Sequence, residues 1–129
     1  MPAQRRPLNA PDVARVSASY AQAMETTGAT RWLHGSGQIP VAEDRAVPEG
    51  FEAQARLTFD NIDRQLRHAG MTRDHLVKLT VFLGARDHRA AFRDIRVEWL
   101  DGREVALTVI VCDIFDAAWL LEIEAVAAD

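Results

Sequence analysis

Three short stretches carry side chains able to move protons or hold a water molecule. In the run from Arg31 to Gly37, His34 precedes Ser36 by two residues, so in a strand both side chains project to one face. An imidazole with an ordinary pKa of about 6.5 can pass a proton to an enamine or its water near neutral pH. The plainer alternative for His34 is a hydrogen-bonded histidine inside an interface. Glu122 and Glu124 alternate with Leu121, Ile123 and Ala125, the pattern of a half-buried strand whose carboxylates are either solvated or available as bases. Tyr20, the sole tyrosine, reads more readily as a packed aromatic than as an acid, because a phenol is a weak acid at neutral pH.

Several common chemistries lack their residues. Cys112 is the only cysteine, which excludes an intramolecular disulfide and a thiol zinc cluster; it reads as a buried structural thiol in a reducing, cytoplasmic setting. His34, His68, His75 and His88 stand singly along the chain, so only folding could gather a metal site. There is no Walker loop, GxGxxG, GxSxG elbow or HExxH. No metal or cofactor is expected.

The elements that must position these residues follow from periodicity. Residues 1–12 contain three prolines and little apolar pattern, and read as a loosely held arm before a single domain over 13–129. Val16 to Ala21 reads as a short strand, and Arg31 to Gly37 as a second one running into Gly-Ser-Gly-Gln-Ile-Pro. Phe51, Ala55, Phe59, Ile62, Leu66 and Ala69 make the inner stripe of a helix that Gly70 stops, with Glu52, Arg56, Asp63 and Arg67 outside. A strand over His75 to Leu83 precedes a second helix, capped by Asp87, with Phe92, Ile95 and Trp99 inward and Asp101-Gly102 as its stop. Glu104 to Cys112 and Trp119 to Ala127 are the last strands. In the first of them Val105, Leu107, Val109 and Val111 face one way and Ala106, Thr108, Ile110 and Cys112 the other, so both faces are largely apolar. With only two good helices, the second apolar face is most simply covered by another copy of the chain. The order indicates an α/β sandwich with helices on one face of a mixed sheet.

The bulk numbers agree with that size and class. The chain has 129 residues, 48% hydrophobic and 26% charged, which suits one globular domain. Fifteen Lys+Arg against nineteen Asp+Glu give a formal charge of -4. The basic residues look scattered, so nucleic acid is not an expected partner. No stretch approaches the ~20 apolar residues of a membrane span, so no membrane role is expected.

Ser36-Gly37-Gln38-Ile39-Pro40, Ala53-Gln54-Ala55-Arg56, Phe59-Asp60-Asn61, Ala69-Gly70, Lys78-Leu79-Thr80-Val81-Phe82 and Glu122-Ile123-Glu124-Ala125 occur in this order. As an ordered set they resemble the Rid family, the YjgF-type reactive-intermediate deaminases, from about Tyr20 to Ala127. The resemblance implies a chorismate-mutase-like fold, a homotrimer whose sheets form a central barrel, and small-molecule clefts between subunits. It also implies site roles: Tyr20 and Ser36 would line the cleft beside Gly37, and Glu122 would position the attacking water. The family's carboxylate-binding arginine falls on Leu107 here, and the residue two further on is Val109. A guanidinium holds a carboxylate through two charge-assisted hydrogen bonds and leucine offers none. Arg103 and Arg93 are the candidate substitutes, Arg93 the preferred one. The implied activity is hydrolysis or tautomerisation of a small, partly apolar enamine or imine, with Glu122, Ser36 and His34 catalytic and Tyr20, Arg93, Leu107, Val109 and Gly37 binding substrate. A non-catalytic ligand-binding trimer is the rival. Ribonuclease activity, attached to some relatives, is disfavoured by the acidic balance.

Overall fold

The computed structural model describes residues 2–129. Along the chain run β1 (Gln4–Leu8), β2 (Ala23–Thr27), β3 (Trp32–His34), α1 (Phe51–His68), β4 (Leu76–Leu83), α2 (Arg89–Leu100), β5 (Ala106–Val111) and β6 (Leu121–Ala128). Four strands form a mixed sheet in the order β3-β6-β4-β5, in which β4 pairs antiparallel with β6 and parallel with β5. The parallel pair needs a crossover, and α2 supplies it.

Register decides which residues meet the helices. Leu79 lies between Ala125 and Leu107, and Val81 between Ile123 and Val109, so three strands share one apolar layer. Against it pack Ala55, Phe59, Ile62 and Leu66 of α1 and Phe92, Ile95 and Trp99 of α2, all buried. Phe59 stacks on both Phe92 and Trp99, with ring centroids at 6.0 and 4.5 Å. The opposite face carries Thr80, Phe82, Thr108, Ile110, Glu122 and Glu124 and has no helix over it. The expected mixed α/β architecture with two helices on one face is therefore present.

Both helix stops act as read. The Gly70 N–H bonds to the Arg67 carbonyl at 2.9 Å and the Met71 N–H to Leu66 at 2.8 Å, with Gly70 at φ 71. Asp101 and Gly102 take φ 49 and 81 after α2. Asp87 does not cap α2. It sits in a short 3-10 turn, and the N-cap is His88 with no side-chain bond. Asp63 is not an outer residue either: it accepts two bonds from Arg73, at 2.9 and 2.7 Å, and one from the Trp99 indole at 3.1 Å. Helical periodicity sees the polarity of Asp63 but not partners arriving from 10 and 36 residues away.

Two readings of the first 30 residues are corrected. The stretch expected to be a loose arm contains β1, paired antiparallel with β2 from Gln4↔Thr27 to Leu8↔Ala23; Met1 lies outside the described residues. Arg5 fastens this ribbon to the main sheet through the Ala128 carbonyl at 2.8 Å. Pro7 is tolerated because the two-stranded ribbon leaves edge positions needing no donor. Val16 to Ala21 is not a strand. Only Ala21 bridges to β5, while Arg15, Ser17 and Ser19 bond locally to backbone and to one another. Among the described residues no helix is long and apolar enough to cross a membrane.

Candidate functional site

A cavity of about 370 Å³ opens between α2 and the free edge of the sheet. Leu107 and Val109 form its apolar wall, because β5 directs them to the same side as the helices. Arg93 and Arg96 form the facing wall on α2, and Tyr20 closes one end. The segment bearing Tyr20 is held at both ends: the Ala21 N–H bonds to the Val105 carbonyl at 3.0 Å, and Arg15 reaches the Tyr20 carbonyl at 3.1 Å. Arg96 ties the segment to α2 through the Ser19 carbonyl and hydroxyl, each at 3.1 Å. Ser19 in turn shares a 2.8 Å hydrogen bond with Ser17.

Arg96 is only 4% exposed, and its Nε–H has no hydrogen-bond partner among the described residues. Burial first, and the like charge of Arg93 second, lower its pKa from the ordinary guanidinium value. Arg89 and Arg93 share one face of α2 with Arg96, and Arg86, in the short 3-10 turn before the helix, lines the same cavity. The reading of scattered basic residues is thus corrected: the helical spacing of Arg89, Arg93 and Arg96, with Arg86 in the turn before the helix, brings the four together at one cavity. Arg103, the other candidate, is engaged elsewhere, with Asp74 at 2.7 Å and the Leu100 carbonyl at 3.1 Å.

The second group lies on the other face of the sheet. Glu122 is opposite Phe82 in β4, between the buried Leu121 and Ile123, so its carboxylate points away from the helices. Gln38 pairs with Ile123 through two backbone bonds, of 2.7 and 3.0 Å, which lays the Ser36-Gly37-Gln38 segment along β6. Gly37 meets Glu122 directly: a Cβ there would overlap the carboxylate. This close approach is the reason for glycine at position 37.

Ser36 and His34 go different ways. β3 ends at His34, and Ser36 borders a small recess on the α1 side with Ile62 and Gln65. His34 pairs with Val126 and is exposed, while its neighbour Leu33 packs on the core. Four residues separate Val126 from Glu122, about 13 Å along the strand. One chain therefore gathers Tyr20, Arg93, Leu107 and Val109 at the cavity, and Glu122 and Gly37 across the sheet. With β4 between β5 and β6, about 10 Å of sheet also separates the two groups.

Comparison with known proteins agrees with this architecture. Residues 9–129 match the family model described as Endoribonuclease L-PSP. The mitochondrial protein mmf2 of Schizosaccharomyces pombe is 32% identical over 113 residues, covering 85% of this chain and 87% of that protein. Protein HMF1 of Saccharomyces cerevisiae is 29% identical over 114 residues, covering 88% and 86%. Among solved structures, YyfB of Yersinia pestis, of the conserved Rid protein family, superposes with a TM-score of 0.87 at 25% identity over 97% of this chain and 98% of that one. With its family-model match running over nearly its whole length and Rid-family structures sharing its fold, the chain belongs to the Endoribonuclease L-PSP family of Rid-type proteins.

Proposed function

We propose that the protein is a cofactor-independent enamine or imine deaminase of the Rid type, hydrolysing a small, partly apolar reactive intermediate in the cytoplasm. The observation that carries this reading is the division of the site. A carboxylate over Gly37 and an amphipathic cavity beside Tyr20 lie on opposite faces of one chain. In a homotrimer, each cleft joins the Glu122 face of one subunit to the cavity of the next. The free edge β5 supports such an assembly, since Val109, Ile110 and Val111 are 41–43% exposed in a single chain.

The chemistry needs few groups. A water hydrogen-bonded to the Glu122 carboxylate adds through oxygen to the carbon of the imine in its protonated form, and one of the water protons passes to Glu122. Glu122 hands that proton to the nitrogen of the neutral carbinolamine so formed; the C–N bond breaks to release ammonia, and the hydroxyl proton passes to the Glu122 carboxylate and on to water as the carbonyl forms. Leu107 and Val109 pack the apolar substituent. We assign the proton to Glu122 rather than His34, because His34 stands about four strand residues away.

Ammonia release from freshly generated imines, with and without a carboxylate, tests the reading. Wild type is expected to release ammonia, and Glu122→Gln to lose at least about 100-fold in turnover. Leucine at position 107 favours one second reading, a ligand-binding trimer without turnover. Silence of wild type on every imine, with activity appearing only in Leu107→Arg, would establish that reading instead.

A further inference from the structure

The four arginines beside the cavity carry more than shape. Arg96 is buried, yet both its Nη groups are spent on neutral acceptors of Ser19, and its Nε–H is unpaired among the described residues. A guanidinium out of water with no carboxylate opposite is costly, and such perturbed groups gather where a ligand supplies the missing charge. Arg86, in the turn before α2, and Arg89 and Arg93, an i,i+4 pair on the helix, add like charge at the mouth, and the helical pair opposes the helix unless an anion relieves it. Of the nearby acids, Glu98 is drawn off by Arg56 at 3.1 Å, and Asp94 meets Arg93 at 3.8 Å, an exposed and long contact. Opposite the arginines stand Leu107, Val109 and Val111, a wall that binds hydrocarbon. At about 370 Å³ the space suits a small molecule rather than a polymer.

Resting on the reading that this cavity is half of the ligand cleft, we infer that helix α2 grips the ligand's oxyanion. The ligand is a small organic carboxylate or phosphate with an apolar tail. Arg96 holds its head from below and Arg89 and Arg93 hold it at the mouth, a role that β5 cannot fill with leucine at 107. Arg96 is thereby a specificity-determining residue as well as the anchor of the Tyr20 segment.

Calorimetric titration of the intact protein with hexanoate, hexyl phosphate, hexan-1-ol and hexylamine tests this. At least one anion is expected to bind about 30-fold or more tighter than the alcohol, matching the loss of a buried charge-assisted pair; whichever anion binds identifies the headgroup. Its affinity should fall as salt rises. Arg96→Met should abolish the preference, and the double variant Arg89→Gln/Arg93→Gln, altered only at exposed positions, should weaken anion binding severalfold even if Arg96→Met fails to fold. Equal affinity for anion and alcohol, or anion binding unchanged in these variants, overturns the inference. Arginine-dependent anion binding without ammonia release from any imine upholds it and removes the deaminase reading. Ammonia release with arginine-independent binding does the reverse.

Discussion

Arg96 holds Ser19 at two points, donating Nη1 to its carbonyl and Nη2 to its hydroxyl, each at 3.1 Å across 77 residues of chain. That pair of bonds fixes where the sole tyrosine stands, because Tyr20 is the next residue. Ser19→Ala removes one acceptor from a buried cation and should cost about 1–3 kcal/mol in urea unfolding. With fluorotyrosine incorporated, the single fluorine resonance should shift and sharpen as the segment loosens. An unchanged resonance would mean that the Ala21 bridge alone positions Tyr20.

Gly37→Ala separates position from stability. The added methyl meets the flexible end of the Glu122 side chain, not backbone, so the carboxylate swings aside at little cost to the fold. The expected loss of stability is under about 1 kcal/mol. Turnover should nevertheless fall by at least tenfold, since a displacement of about 1 Å at a reacting group can cost about 100-fold. Thermal unfolding and ammonia release on one preparation check both.

Strand β5 supplies the assembly prediction. Ile110→Lys places a charge on the exposed helix-free face without touching the core under α1 and α2. Sedimentation velocity should show wild type as a trimer and the variant as a folded monomer.

Acid lability should be slight and local. Asp74 accepts a 2.7 Å bond from Arg103, which holds its carboxyl below the usual carboxylate range. A depressed folded pKa gives stability that is full above the unfolded value of about 3.9 and is lost as pH falls through the folded one. Asp74 is exposed, so the contribution is small and weakened by salt. The melting temperature of Asp74→Asn should therefore converge on that of wild type as pH drops below the carboxylate range, and differ from it above.

Much of this architecture is legible along the chain, and the exceptions share a cause. Phe59, Ile62 and Leu66, or Leu79 and Val81, declare their element because the period is local and their burial follows from it. β1 does not, since Gln4–Leu8 becomes a strand only on meeting Ala23–Thr27. The same distinction divides the site. Tyr20, Leu107 and Val109 do line one cavity, and Arg93 joins them. Arg96, the buried member, was missed because it adjoins the inward Ile95 and its burial depends on Ser19, far off in sequence. His34 and Ser36 were expected on one face; the strand stops between them, and alternation stops with it.

The most direct test of a cleft built from two subunits is complementation. Glu122→Gln removes the carboxylate half, and Leu107→Trp fills the cavity half with an indole. Each variant alone should be inactive in ammonia release. Unfolded together and refolded as mixed trimers, they should regain about a quarter of wild-type activity, the share of clefts that pair an intact face with an intact cavity. A mixture as silent as its parents, although sedimentation shows mixed trimers, would contradict the account.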